Sequence, residues 1–357
     1  MNETYGRYTF SLRKWSVLKR IEELGGSIQY VSRHCGIVSA VVPREQMKGI
    51  LEDPGLLTAE VDYPVLLPKP MVVGVITREG MRRSVQSSGQ VVTWNVSRVW
   101  KGTPNPYAGA GVRVGVVDTG IDLNHPDLHR NIKGGVNIVE PKRPPQDGNG
   151  HGTHVAGIIA AHSNKQGVIG VAPSASLYAI KVLNDRGVGS ITTLVQGIDW
   201  GIDNRMHILN LSLSGGRKVP AALTRAIQIA NRRGVLVVAA AGNSGNAAGT
   251  GDTVEIPARL QPVVAVAALT RGNKRAPFSA TGPSLDIAAP GVNILSTYKS
   301  GRYGILNGTS QAAPHVSGVA AVYRQQGLST GTIRQVLGQR AISLGSRRLY
   351  GAGLLQL

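Results

Sequence analysis

The sequence predicts an α/β protein, a doubly wound parallel sheet preceded by a small α+β unit of ferredoxin-like order. Three observations carry this. From about Gly89 onward, short apolar runs alternate with helical patterns, as parallel strands buried on both faces do with their crossover helices. Before Gly89 the pattern reads strand, helix, strand, strand, helix, strand. Glycine is abundant, 46 of 357 residues, which suits a fold with many tight loops between strands and helices.

Residues 8–12 alternate as a strand. Residues 16–24 place Val17, Ile21 and Leu24 at helical spacing, and Gly25-Gly26 ends that helix. Residues 27–32 and 37–42 read as paired strands around residues 33–36, and residues 44–51 as a second helix with Met47, Ile50 and Leu51 inward. Asp53-Pro54-Gly55 is a turn, and residues 57–65 read as a last strand. Residues 68–88 look like a linker, with Pro68, Pro70, Gly74, Gly80 and a Ser/Gln-rich end. The division is therefore residues 1–67, a linker over 68–88, and a second domain over 89–357. In the second domain, strands or helices are expected at 112–117, 151–161, 176–182, 191–202, 208–213, 221–233, 235–240 and 263–268.

Composition narrows the function. With 42% hydrophobic residues the chain can bury a sizeable core, and no apolar run reaches membrane-spanning length. The first residues do not resemble a signal peptide, which leaves open another export route, a start not represented, or work in the cytoplasm. Cys35 is the single cysteine, so no disulfide forms within the chain, and it is expected as a small residue on a strand. The formal charge of +19 lies almost wholly after residue 88, with 27 basic against 11 acidic residues there and 12 against 9 before. The basic residues are scattered singly with few aromatics among them. That favours a solvated surface over a dedicated nucleic-acid site.

The chemistry concentrates in three stretches. Asn307-Gly308-Thr309-Ser310-Gln311-Ala312-Ala313-Pro314-His315 reads as a turn into a helix, with Thr309 or Ser310 as cap and Pro314 near the first turn. A serine there sits at the positive end of a helix, where a nucleophile and an oxyanion donor are wanted. Val114-Gly115-Val116-Val117-Asp118 reads as a buried strand with a carboxylate at its C-terminal end. Asn149-Gly150-His151-Gly152-Thr153-His154 is a Gly-rich loop entering an apolar helix with His151 at its mouth. Asp, His and Ser in these positions form the set for nucleophilic acyl transfer.

These blocks, in this order, resemble the subtilisin-like serine proteases, or subtilases, and the resemblance runs from about Gly89 to Leu357. It implies a subtilisin-like fold and a serine endopeptidase acting on extended polypeptides. Asp118 orients His151, His151 is general base and then acid, and Ser310 is the nucleophile. Asn243, in Ala239-Ala240-Ala241-Gly242-Asn243, matches the oxyanion donor. His154, Asp122 and His125 are expected to be structural. The resemblance implies that the substrate binds as a strand between Gly187-Val188-Gly189 and Ser212-Leu213-Ser214, with Ala240, Gly242 and Glu255 around the first specificity pocket. Ser214 stands where the family usually has Gly, which narrows the pocket rim. Glu255 stands near its floor, where Gly is common, and would favour Lys or Arg as the residue before the cut. Gln311 stands where many relatives carry an oxidisable Met.

The small first domain resembles the family's inhibitor-type (I9-like) propeptide. It implies a self-processing precursor cut near Ser88, or at Arg82-Arg83 if Glu255 selects basic residues. A calcium site is also implied. Gln90, Asp127 and Asn164 match side-chain ligands, and the loop 162–168 supplies carbonyls from His162, Gln166 and Val168. No cofactor is expected for catalysis. The remaining expectations are a monomer with its propeptide as intramolecular partner, and an extracellular or cytoplasmic site of action, the resemblance favouring the former.

Overall fold

The computed structural model describes residues 4–68, 71–84 and 89–357. The N-terminal unit runs β1 (Tyr5–Leu12), α1 (Ser16–Glu23), β2 (Ser27–Ser32), β3 (Ile37–Pro43), α2 (Met47–Leu51) and β4 (Leu56–Val61). Its strands form an antiparallel sheet in the order β2-β3-β1-β4, the split arrangement expected from the element order. Phe10, Val17, Ile21, Val38, Val42 and Ile50 close a core of its own between that sheet and the two helices.

Three details of this unit differ from expectation. The helix expected over 44–51 opens as a 3₁₀ turn over Arg44–Gln46, and only five residues including Gly49 become α-helical. Cys35 is in the turn between β2 and β3, not on a strand, and is buried with its thiol on the Asp199 carboxylate at 3.2 Å. The strand expected over 57–65 breaks at Asp62. β4 stays with its own sheet, while β5 (Pro64–Leu66) crosses to the second domain, where Pro64 at its start has no N–H to lose from a ladder.

Of the stretch expected as a linker, residues 71–84 are structured. They carry β6 (Met71–Ile76) and α3 (Arg78–Ser84), and the β-branched run Val72, Val73, Val75, Ile76 supplies the local reason for a strand. Ser88, the expected processing point, lies outside the described residues.

The second domain continues with α4 (Trp94–Trp100), β7 (Arg113–Asp118), β8 (Ile132–Asn137), α5 (His151–Ala160), β9 (Ser176–Lys181), β10 (Val188–Ser190) and α6 (Ile191–Asp203). Then come β11 (Ile208–Leu211), α7 (Ala221–Arg232), β12 (Leu236–Ala240), β13 (Val264–Leu269), β14 (Ile287–Pro290), β15 (Ile294–Tyr298), β16 (Arg302–Asn307), α8 (Thr309–Gln325), α9 (Thr330–Arg340) and α10 (Arg347–Tyr350). Seven of the strands form one parallel sheet, ordered β14-β13-β12-β11-β7-β9-β8. Its strands are apolar on both faces because both are covered. Val114 and Val116 of β7 face the core under α5 and α8, while Val117 faces the one under α6.

The N-terminal sheet lies on α6 and α7. Asp62 Oδ1 accepts from the Thr192 N–H at 2.9 Å, and Glu60 Oε2 accepts from the Ala221 N–H at 2.7 Å. Two carboxylates of the first domain thus meet the positive ends of two helices of the second. Tyr30 donates to Asp199 at 2.5 Å and Thr192 to Ser39 at 2.9 Å.

Replacing Glu60 and Asp62 by Ala removes a cap worth about 1 kcal/mol at each helix. The expected outcome is faster hydrogen exchange of the α6 and α7 N-terminal amides and of β1 and β3, with the core of α8 unchanged. Unaltered exchange at the helix starts would contradict it.

Candidate active site

β7 delivers Asp118 at its C-terminal end, where the sheet stops and the crossover begins. Its carboxylate is fully buried and accepts from His151 Nδ1 at 2.9 and 3.0 Å and from the Thr119 N–H at 2.8 Å. His151 is the first residue of α5, and its Nε2 is buried with no hydrogen-bond partner among the described residues. Burial works against the imidazolium. The Asp118 charge and hydrogen bond outweigh it and hold the His151 pKa above the ordinary histidine value. Gly152 allows the close approach of α5 to the end of β7, since a Cβ there would collide with the Gly120 carbonyl.

What fixes the start of α5 is Asp147, which the sequence reading passed over. Its Oδ1 accepts from the Gly150 N–H at 2.8 Å and the Thr119 hydroxyl at 2.9 Å. Its Oδ2 accepts from the Thr153 N–H and hydroxyl at 2.9 and 2.6 Å. The Thr119 hydroxyl in turn accepts from the Gly152 N–H at 3.0 Å, so the loops bearing Asp118 and His151 are cross-tied. In the sequence, an Asp before a Gly in a loop gives only a turn signal.

Ser310 is the second residue of α8. Neither it nor Thr309 caps the helix. The Thr309 hydroxyl donates to Asn243 Oδ1 at 2.9 Å and accepts from the Gly242 N–H at 3.1 Å, and Ser310 Oγ donates to the Ser212 carbonyl at 3.1 Å. Asn243 Oδ1 also accepts from the Thr309 N–H at 3.0 Å. Both contacts use its oxygen, so the amide N–H₂ is turned away from Thr309, beside Gly308. A Cβ on Gly308, at φ +155, would approach that Nδ2 to 3.2 Å. Pro314 lies further in than expected, in the second turn. Its missing N–H leaves the Ser310 carbonyl free of the helix ladder, and that carbonyl accepts from the Ser212 hydroxyl at 2.9 Å. Asn210 donates to Ser212 and accepts from Ser317, which extends the network under α8.

The rival histidines are structural here. His154 Nε2 donates between the carbonyls of Ile294 and Gly304, and burial pushes its pKa down to about 3. His125 accepts from the Asp127 N–H and donates to the Arg302 carbonyl, while Asp122 accepts from Gln146 and the Gly301 N–H.

The expected cleft edges hold a strand of the chain itself. β10 pairs antiparallel with β5, Val188 opposite Leu66 and Gly189 opposite Val65. Leu66 exchanges both backbone hydrogen bonds with Ser214, at 2.8 and 3.0 Å, and the Leu67 N–H donates to the Gly187 carbonyl at 2.9 Å. Beyond it lies a cavity of about 510 Å³ lined by Leu67, Pro68, Ser214, Asn243, Ser244 and Glu255. Glu255 Oε1 accepts from the Ser244 hydroxyl at 2.5 Å. A Cβ on Gly242 would come within 3.0 Å of the Glu255 side chain. Leu213 and Ala240 are packed in the cores and bring no side chain to this cavity.

The residues expected around calcium also converge. Gln90 Nε2 reaches the His162 carbonyl at 2.8 Å, the Val168 carbonyl at 3.1 Å and Asn164 Oδ1 at 3.2 Å. Three oxygens therefore surround one point, and Asn164 is itself tied to Asp127 Oδ1 at 3.1 Å. The Gln166 N–H donates to Asn164 Oδ1 at 3.1 Å.

A model of the Subtilase family matches residues 109–353. Subtilisin Savinase of Lederbergia lenta is 51% identical over 270 residues, covering 74% of this chain and 97% of its own. Subtilisin E of Bacillus subtilis is 39% identical over 342 residues, covering 94% of this chain and 84% of its own, a span that takes in most of the N-terminal unit. The solved structure of fervidolysin from Fervidobacterium pennivorans, described as a keratinolytic enzyme related to subtilisin, superposes with a TM-score of 0.85 at 27% identity. That match covers 99% of this chain and 60% of that one.

The raised His151 pKa gives a pH test. A Ser310 activated by His151 would react only while His151 is neutral, so its labelling by an organofluorophosphonate should fall as pH drops through that pKa. Asp118→Asn removes the charge that raises the pKa and the tautomer lock, and should cut labelling by about 10⁴. Equal labelling of the two proteins would contradict the pairing.

Proposed function

The chain belongs to the subtilase family of serine proteases, and from that premise we propose that it cuts extended polypeptides through Asp118, His151 and Ser310. The observation that carries the reading is the buried Asp118–His151 pair, with His151 Nε2 unpartnered among the described residues. It begins the helix that packs against α8, near whose start Ser310 stands. Nothing in a binding module calls for a base held in this state.

In this mechanism Ser310 Oγ leaves the Ser212 carbonyl and gives its proton to His151 Nε2 as it attacks the substrate carbonyl. The oxyanion is met by Asn243 Nδ2 and by the Ser310 N–H, one of the first-turn donors without a helical partner. His151 then protonates the leaving amine, and water repeats the sequence on the acyl-enzyme. The substrate adds as a strand between β10 and residues 212–214, a mode largely indifferent to side chains. Glu255 adds a preference for Lys or Arg before the cut.

The N-terminal unit acts as the protein's own propeptide. Supporting this are β5 in the cleft and the Glu60 and Asp62 caps on α6 and α7. Calcium is the ion that suits Gln90, Asp127, Asn164 and the carbonyls of His162, Gln166 and Val168, all hard oxygen donors once the Gln90 amide is turned over. Its role would be to pin residues 90–91 to the loop after α5. The protein would act as a single chain, on polypeptides outside the cell, as the family resemblance favours. Among the described residues no helix is long and apolar enough to cross a membrane.

Chain incubated until its mass stops changing should hydrolyse extended peptides, and Ser310→Ala chain should not. Asn243→Ala should lose about 10²–10³ in kcat, the magnitude known for this donor in subtilisin itself. Matched peptides ending in Arg and Phe before the cut should differ in kcat/KM by about tenfold or more in favour of Arg, and Glu255→Gln should abolish the difference. A Phe preference would remove Glu255 from specificity.

Removing calcium should lower Tm by about 2–4 °C for each kcal/mol of binding linkage lost. Asp127→Asn should show the lower Tm from the start, with no further drop on chelation. A chelator-insensitive wild-type Tm would end the calcium reading.

A further inference from the structure

One pocket of the second domain lies away from the catalytic end of the sheet. Arg113 is the first residue of β7, His207 precedes β11, and Gly234 and Val235 precede β12. The pocket is therefore at the N-terminal ends of three neighbouring strands, whereas Asp118 stands at the other end of β7. Its volume is about 540 Å³, within the range of ordinary ligand sites (about 300–1,000 Å³), and none of its lining comes from the N-terminal unit. Arg113, Arg205, Arg232, Arg233 and Arg324 line it, and no carboxylate does. Among the described residues none of these arginines is in an ion pair. Asp203, two residues before Arg205, is held instead by His34 at 2.5 Å.

Helix dipoles account for part of this charge. α6, α7 and α8 all end here, and basic side chains are favoured at the negative end of a helix. Three such ends amount to about −1.5 charges and the start of α9 to about +0.5, which leaves most of the arginine charge unmatched. Nor do dipoles explain Arg113, which begins a strand and whose Nε is buried with no hydrogen-bond partner among the described residues. The other groups here are donors as well. The Arg113 N–H donates to His207 Nδ1 at 3.0 Å, so the neutral imidazole carries its proton on Nε2. Burial, with the charges of Arg324 and Arg113, holds the His207 pKa below the ordinary histidine value. Ser329, Thr330 and Gly331 add the start of α9. Ser329 Oγ accepts from the Thr332 N–H at 3.2 Å, while the N–H groups of Thr330 and Gly331 have no acceptor within the helix. The Thr330 hydroxyl donates to the Gly234 carbonyl at 2.6 Å, which fixes that helix start beside β12.

We propose that this pocket binds a tetrahedral dianion, phosphate or a phosphate monoester. Guanidinium groups and a helix start are the donors such an anion takes. A single carboxylate is satisfied by one bidentate arginine and would leave the remaining charges facing one another. A nucleic-acid strand is disfavoured because no Phe, Tyr or Trp lines the pocket for a base to stack on. The bound anion joins the starts of β7 and α9 to the end of α8 without touching the catalytic end of the sheet. It therefore acts on stability, and the proposal stands whether or not the chain is a protease.

The test is calorimetric titration of the full-length chain with inorganic phosphate, phenyl phosphate and acetate. It is run at mildly alkaline pH, where phosphate is a dianion, and at one ionic strength, so that screening is common to all three. Phosphate should bind once per chain and raise Tm, and acetate should bind at least about tenfold more weakly. Phenyl phosphate binding more tightly than phosphate would mark an ester as the ligand, and equal binding the free ion. R113Q/R324Q should weaken phosphate binding by about tenfold or more and leave the rate of Ser310 labelling unchanged. In the unaltered chain the His207 ring signal in NMR should titrate at higher pH with phosphate present, because the anion offsets the two guanidinium charges that suppress its pKa. That readout needs no variant, so it decides the matter even where R113Q/R324Q fails to fold. Acetate binding as tightly as phosphate, a His207 titration unmoved by phosphate, or undiminished phosphate binding in folded R113Q/R324Q would each overturn the proposal. Retention of single-stranded DNA without any binding of phosphate would do the same.

Discussion

The Asp118 carboxylate is the charge on which the site depends, and a charge so deeply buried survives only where everything around it is fixed. It ends β7 in the middle of a parallel sheet covered on both faces, so it has little freedom to move toward water. Three hydrogen-bond contacts satisfy it, two from His151 and one from the Thr119 N–H. The arrangement makes the imidazolium tolerable inside the protein, where burial alone would suppress it, as it does for His154 three residues further along the same helix. Two histidines on one turn thus differ in chemistry because only one of them meets a carboxylate.

The serine is positioned by a different device. α8 runs through the core and brings Ser310 to the cleft only if its first turn is anchored, yet that turn has no side-chain cap of its own. Anchoring comes from across the sheet, through Asn243 on Thr309 and through Ser212 on the carbonyl that Pro314 leaves unused. The residue that would carry the oxyanion thereby also holds the helix bearing the nucleophile. Moving Asn243 disturbs both, and its effect on rate includes a positioning part.

Much of this was legible in the sequence. A chemistry-bearing residue at a strand end or helix mouth leaves a local pattern, so Asp118, His151, Ser310 and Asn243 stood out, as did the order of the ferredoxin-like unit. What escaped were residues whose roles are set by distant partners. Asp147 looks like any turn Asp until Thr119 and Thr153 are brought to it. Thr309 and Ser310 look like caps until Asn243 and Ser212 compete for their hydroxyls. β6 was hidden for another reason: its apolar run is interrupted by Gly74 and follows Pro68 and Pro70, so the strand signal of its β-branched residues is masked by linker-like punctuation until the edge of β16 pairs with it.

As the propeptide proposed above, the N-terminal unit would answer a problem the second domain poses. A seven-stranded parallel sheet has no local hairpins to start from, and each strand must find a neighbour across a long crossover. α6 and α7 begin on one face of that sheet, and α7 has no side-chain cap of its own. Glu60 and Asp62 meet these starts from a small domain whose antiparallel contacts are local and whose core is closed without help. Because the same short segment that carries Asp62 continues as β5 into the cleft, a surface that orders the two helices cannot do so without also filling the site. On the propeptide reading proposed above, assistance in folding and blockage of the cleft would be one contact and not two.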